Sequence, residues 1–260
     1  MLYKEEAKMI YKFGEYRWLE NLKNGEMSFS CVGNFISIAN NTNNIVQGDP
    51  LEGVFARQKI GNPQIQIMRS ELGSDLEEIP DGDFVFLRRR SAKLKPIFCF
   101  FAHSFSNEKF ITNPENHLEK IYQYNFDNNM FTGFADGGGK KDLTDPRRFA
   151  LAGIQSDSLC NSIKEYMKIN QLLYNLRYIK YIDFFHGEFF IDPTSEYNEL
   201  FVKSKEYEYQ HEARICLTEE SFSEFSERKS LFIGKFDEND FKIYDRPVSA
   251  KYTKRWIVDE

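Results

Sequence analysis

Apolar and polar positions change period several times along this chain, and each change marks an element. Residues 11–14 form a short strand-like run. From Glu15 to Asn24, Trp18, Leu19 and Leu22 share one narrow helical stripe, and the Asn24-Gly25 pair suits a left-handed cap that ends it. Residues 26–31 then alternate, with Met27, Phe29 and Cys31 on one face and Ser28 and Ser30 on the other. That is the period of a strand with one apolar face. The asparagine-rich stretch 40–44 reads as a loop leading into Asp49-Pro50-Leu51-Glu52-Gly53, where proline presets a turn and glycine closes it.

Between residues 60 and 101 the pattern is mostly β. Residues 65–68, 84–87 and 97–101 are apolar runs of strand length, separated by turn chemistry at 73–75 and 80–83. The third is apolar throughout, as in the middle of a sheet covered on both faces. Arg88, Arg89 and Arg90 follow the second run and read as a solvated turn. Asn113-Pro114-Glu115 has the order of a helix start, and the helix is expected to reach about Tyr124 with Leu118, Ile121 and Tyr122 inward. Gly137, Gly138 and Gly139, followed by Lys140 and Lys141, lack the spacing of a phosphate-binding loop and read as a surface loop.

Residues 149–153 predict a strand. Ser156-Asp157-Ser158 then caps a helix reaching about Tyr174, with Leu159, Ile163, Tyr166, Met167 and Ile169 at near-helical spacing. Residues 176–183, 231–236 and 241–244 return to β, and Trp256-Ile257-Val258 is expected to dock as an edge strand. Helices interrupt β runs irregularly, and neither a repeat nor a linker composition appears. The expected architecture is therefore a single α+β domain over residues 1–260, a bent, largely antiparallel sheet flanked by a few helices.

Composition narrows the function classes. Twenty-five Phe and 14 Tyr in 260 residues supply too much apolar area for a disordered chain. A net charge of -6 argues against general affinity for nucleic-acid backbone. Cys31, Cys99, Cys160 and Cys216 are far apart, with no CxxC pair, and read as core residues of a reducing compartment. Charge at Lys4, Glu5 and Glu6 does not suit a signal peptide, and no apolar run approaches the roughly 20 residues of a membrane span. The expectation is a cytoplasmic, soluble protein without a membrane partner. His103, His117, His186 and His211 have no metal-ligand spacing, so no metal site is expected.

The stretch 201–217 carries the sharpest chemical signal. A short apolar run passes through a charged, tyrosine-rich turn and re-enters alternation, placing Gln210, Glu212 and Arg214 on one side of a strand. An amide, a carboxylate and a guanidinium in a row, bordered by Tyr207 and Tyr209, suit a working surface. The bland alternative is a structural ion pair between Glu212 and Arg214. Asp49 and Glu52 would bring further carboxylates only if their turn lies beside this strand.

Two resemblances rest on these residues. "WLENLKNG", "EMSFS", "GDPLEG", "KPIFCFF" and "FVKSKEYEYQHEARICL" together resemble a widespread bacterial and phage domain of unknown function, with an Asp-Pro-x-Glu turn and a late Lys-(spacer)-Tyr-x-x-Glu-x-Arg segment. Cys99-Phe100-Phe101 departs from that domain's usual Cys-Phe-Ser strand, and its Trp-x-x-Tyr segment is absent. The late segment also resembles the Gln-x-Glu element of mono-ADP-ribosyltransferases. That resemblance implies NAD as substrate, with Glu212 as essential carboxylate and Gln210 orienting the acceptor. It further implies that Ser28 and Ser30 support the site and that Arg17 or Arg214 meets the pyrophosphate.

The expected function is thus an NAD-using ADP-ribosyltransferase or NAD glycohydrolase, with a protein or nucleic-acid acceptor. The alternative is a non-catalytic phage or mobile-element protein that engages a host or defence protein. Phe184, Phe185, Phe189, Phe190, Tyr207 and Tyr209 would then be contact anchors.

Overall fold

The computed structural model describes residues 7–42, 48–104, 111–112, 119–125, 144–146, 148–193, 197–244 and 249–255. The fold is α+β, with a large antiparallel sheet and a few helices. In chain order its elements begin with β1 (Ala7–Glu15), α1 (Tyr16–Lys23), β2 (Glu26–Cys31), α2 (Val32–Thr42) and β3 (Val54–Lys59). Next come α3 (Pro63–Leu72), β4 (Leu76–Asp81), β5 (Phe84–Arg89), β6 (Pro96–Ser104), β7 (Ile111–Thr112) and β8 (Glu119–Asn125). β9 (Phe149–Gln155), α4 (Ser156–Ile169), β10 (Tyr174–Tyr178), β11 (Lys180–Ile182), β12 (Phe189–Phe190) and β13 (Val202–Ser204) follow. β14 (Glu212–Leu217), β15 (Lys229–Phe232), β16 (Phe241–Tyr244) and β17 (Ser249–Arg255) complete the set.

The main sheet runs β10-β14-β6-β1-β9-β16, with β2 and β15 branching from β6. β6 sits in its middle, as its unbroken apolar run predicts. Alternate residues of its strands face opposite ways. Ile10, Phe98, Phe100, Ala102, Ala213 and Ile215 join the principal core with Phe29, Leu159 and Ile163, while Glu212 and Arg214 take the other face. A second sheet, β12-β3-β5-β4, packs α3 through Ile65 and Met68, and β11 pairs β13 in parallel. No helix among the described residues is long and apolar enough to cross a membrane.

The fork at β6 shapes everything that follows. Phe101 pairs with both Tyr11 and Glu212, and Ile97 with both Ser30 and Cys216. Strands β1 and β2 must therefore share the edge of β6 opposite β14. They part from each other, leaving residues 98–100 of that edge without a strand neighbour among the described residues.

Several expectations change. Residues 65–68 are helical: Asn62 caps α3 by accepting from the Gln64 amide at 2.9 Å, Pro63 occupies the first turn, and the buried pair Ile65 and Met68 is spaced for a helix face. A four-residue apolar run alone cannot separate the two periods. Residues 119–125 form a strand paired along its length with β17, where a helix to Tyr124 is expected; residues 113–118 lie outside the described set. Long-range pairing overrides the local start signal. The helix α2 extends through residues 40–42 of the expected loop.

Arg88 is not a solvated turn residue. It is 4% exposed, binds Glu77 at 2.8 Å and donates to the Pro50 and Glu52 carbonyls at 3.1 and 3.0 Å. Arg89 likewise reaches buried Glu199 at 2.6 Å. The helix after Gln155 ends at Ile169 rather than near Tyr174, and Ser158 donates to Asp240 at 2.6 Å instead of capping. The expected glycine loop and the edge strand at Trp256 lie outside the described residues.

Candidate functional site

Six polar side chains gather on the face of β14 opposite the principal core. Lys203 leaves β13, the chain turns through a tight 3-10 segment (Lys205–Gln210), and His211 takes the left-handed conformation at φ 42° before β14 begins. Gln210 is therefore not on the strand with Glu212 and Arg214, where the alternation predicts it; it ends the 3-10 turn, and the reversal at His211 brings it and Glu212 to the same lysine. Lys203 Nζ donates to Gln210 Oε1 and Glu212 Oε2, each at 2.9 Å. The ring of Tyr207 lies 4.9 Å from the same ammonium. The Glu212 amide donates to Tyr181 Oη at 2.8 Å, and its carbonyl accepts from the Ile179 amide at 2.9 Å, which fixes the strand end.

Arg214, two residues on, shares the side of Glu212. Its Nε donates to Glu212 Oε1 at 2.5 Å and its Nη1 to the Leu200 carbonyl at 2.7 Å. The same Nη1 lies 2.6 Å from Glu52 Oε1 without hydrogen-bond geometry, so that contact is an ion pair only. Glu52 Oε2 also faces Lys203 at 3.7 Å. The 49–53 turn that supplies Glu52 is held by the Leu51 amide donating to Asp49 Oδ1 at 2.8 Å and by the Arg88 contacts above. The turn thus does lie beside the late strand.

Asp49, Glu52, Lys203, Gln210, Glu212 and Arg214 are all buried, and Arg214 is only 1% exposed. Burial pushes the Glu212 carboxyl up, but Arg214 and Lys203 outweigh it and hold the carboxyl well below the usual range. Burial works against the charge of Lys203 too; Glu212 and Glu52 reverse the balance and keep it protonated. Asp49 differs. Burial and then the neighbouring Glu52 charge raise it to about 7, and its Oδ2 has no hydrogen-bond partner among the described residues.

Asp49 therefore makes stability depend on pH with a definite sign. Its folded pKa exceeds the unfolded value near 4, so folding takes up a proton between about pH 4 and 7 and this contribution falls as pH rises through that window. Asp49→Asn keeps an acceptor for the Leu51 amide but cannot ionise. Relative to wild type, the variant is expected to gain stability between pH 5 and pH 8, measured by urea unfolding at both. A constant difference would show that Asp49 is ionised throughout.

Two cavities flank the fork in the sheet. The smaller, about 70 Å³, is lined by Lys203, Gln210, Glu212, Arg214, Glu52, Lys12 and aromatic rings including Phe35 and Phe101. It has room for a few water molecules. The larger, about 310 Å³, is lined by Trp18, Asn21, Glu26, Ser28, Phe98 and Arg228, and shares Lys12 and Phe13 with the first.

The structure therefore brings Gln210, Glu212 and Arg214 together with Glu52 and, through charge coupling, Asp49. Ser28 lies in the adjoining cavity. Ser30, beside β6, has a buried hydroxyl with no hydrogen-bond partner among the described residues. Arg17 stands apart: exposed, it donates to Glu15 at 2.6 Å and stacks on Trp18. Arg214 is buried, its Nε held by Glu212 and its Nη1 by Leu200 and Glu52. Lys203 and Lys12 escaped sequence reasoning. Lys203 was visible only as a motif letter, and Lys12 as one residue of a short strand.

Among the described residues no group of three or more His, Cys, Asp or Glu could hold a metal ion, and all four cysteines are free. No family of known proteins, curated protein or solved structure matches the chain.

Proposed function

We propose that this protein is an NAD-using ADP-ribosyltransferase or NAD glycohydrolase with Glu212 as its essential carboxylate. One observation carries the reading: Gln210 and Glu212 line a cavity whose Lys12–Phe13 wall is shared with the larger cavity lined by Ser28 and Trp18. Cleaving the nicotinamide–ribose bond develops positive charge on the sugar, and a preorganised anion lowers that barrier. Glu212, held ionised by Lys203 and Arg214, retains lone pairs for a ribose hydroxyl. Gln210 would orient an attacking water or acceptor. The paired cavities suit the nicotinamide–ribose half of the dinucleotide rather than the whole.

The test is nicotinamide release from NAD by wild type and by Glu212→Gln, with labelled NAD followed into protein and nucleic-acid acceptors. Turnover by wild type with at least a ~100-fold loss in the variant is expected, the scale of removing one transition-state electrostatic contact. A folded wild type that neither releases nicotinamide nor transfers label ends the proposal.

A second reading, docking onto a host or defence protein, draws support from Phe185 and Phe190, which are 47% and 44% exposed. The neighbouring Phe184 is fully buried and stacks on Phe189 at 4.9 Å, so the pair serves packing rather than contact. A single stoichiometric partner, lost with Phe185→Ser and indifferent to Glu212→Gln, would favour this alternative.

A further inference from the structure

Lys12 sits in the fork, where β1 has just left β6. Its Nζ donates to the Cys99 carbonyl at 2.5 Å, on the stretch of β6 that β1 and β2 leave uncovered, and lies 4.8 Å from the centre of the Phe98 ring. An ammonium carries three donors, and one is accounted for. Among the described residues Lys12 makes no ion pair. The carboxylate it feels, Glu212, already has both oxygens engaged by Lys203 and Arg214.

Charge in the cluster is therefore unbalanced. Lys203 and Arg214 offset Glu52 and Glu212, Asp49 is largely protonated below neutral pH, and Lys12 is left without an ion pair among the described residues, while Glu26, the carboxylate on the larger cavity's wall, accepts from Ser230 at 2.7 Å. A desolvated charge without a counterion is costly unless something supplies one. Burial lowers the Lys12 pKa, and the Cys99 and Glu212 neighbourhood only partly offsets it.

The larger cavity supplies the other half of a recognition site. Its volume of about 310 Å³ lies at the lower end of small-molecule pockets, roughly 300–1,000 Å³. Phe98 and Trp18 contribute aromatic rings to its lining, with Lys12 beside one and Arg17 beside the other, each at 4.8 Å from the ring centre. Ser28 and Asn21 provide hydrogen-bonding groups, and Arg228 and Glu26 set a second cation and a carboxylate at the wall.

We infer that Lys12 is the anchor for an oxyanion on a flat aromatic ligand of mononucleotide size, seated in the larger cavity with its ring against Phe98 and Trp18. A phosphate or carboxylate there completes the missing ion pair through charge-assisted hydrogen bonds. The inference shares a cavity with the catalytic reading but not its chemistry. AMP has no nicotinamide–ribose bond, so its binding is measured apart from turnover: AMP binding without NAD cleavage defeats only the catalytic reading, and the reverse defeats only this one.

The test is calorimetric titration of the full chain with AMP, adenosine and inorganic phosphate. AMP is expected to bind at least tenfold more tightly than adenosine, and Lys12→Met to abolish that preference while Lys12→Arg retains part of it. On the wild type, peptide mass spectrometry after brief acetylation should show Lys12 protected by AMP and not by adenosine, which keeps the question open to decision even if Lys12→Met does not fold. Equal affinity for AMP and adenosine, an unchanged preference in folded Lys12→Met, or Lys12 acetylation indifferent to AMP would overturn the assignment. Tight phosphate binding without AMP binding would overturn the aromatic part.

Discussion

Arg214→Met is expected to lower the free energy of unfolding by about 3–5 kcal/mol, the cost of breaking a buried ion network from one side. Methionine keeps much of the volume, so packing loss is small and the electrostatic loss dominates. Without the guanidinium, Glu212 and Glu52 share Lys203 alone, at 2.9 and 3.7 Å, and the Leu200 carbonyl loses its donor. Two carboxylates beside one ammonium in a dry site cannot both stay ionised cheaply, and one should take up a proton near neutral pH. Urea unfolding would report the loss as a lower midpoint at unchanged slope. Adding Glu52→Gln should recover part of it, because the two positions are directly coupled. A cost below about 1 kcal/mol would mean the cluster is effectively solvated and behaves like surface ion pairs.

Gly25→Ala is the other substitution with a large expected cost, for a backbone reason. Gly25 follows α1 with φ 98°, and a Cβ there would stand 2.7 Å from the carbonyl carbon of Gly234 and 2.8 Å from its oxygen. The segments also meet through the Ile233 amide, which donates to the Gly25 carbonyl at 2.9 Å. Left-handed strain adds about 1–3 kcal/mol and forced overpacking about 1–3 kcal/mol, so a loss of about 2–6 kcal/mol is expected. In a chain of this size that lowers Tm by on the order of 10 °C. Gly61→Ala is the control: its φ of 92° is similar, but nothing lies within 4 Å of the added atom, so only the backbone part applies. Equal losses in calorimetry would remove close approach as the cause.

The contrast between these glycines shows where sequence reading stops. Asn24-Gly25 is legible as a helix end from the residue pair alone, because left-handed backbone is a local property. That Gly234 would pass against it is not, since the partner lies on a distant loop. The same division runs through the fold. The alternation in residues 26–31 places Ser28 and Ser30 opposite the core as expected. The unbroken apolar run of β6 likewise marks a central strand. Residues 65–68 and 119–125 mislead because short apolar runs satisfy both periods, and pairing with remote strands or a capping Asn decides between them.

By itself, the sequence determined the α+β class, the central β6, the two-faced β2 and the shared strand side of Glu212 and Arg214, each set by a period within a few residues, whereas Gln210 reaches Glu212 through a turn that the alternation does not predict. Only the tertiary structure decided that Glu52 and Lys203 join Glu212 and Arg214, that Arg17 does not, and that Lys12, beside the gap in the sheet, makes no ion pair among the described residues. Those outcomes depend on which strands share an edge of β6 and on how much water is excluded there. Burial and long-range pairing are properties of the whole packed chain, and no local pattern of residue types encodes them.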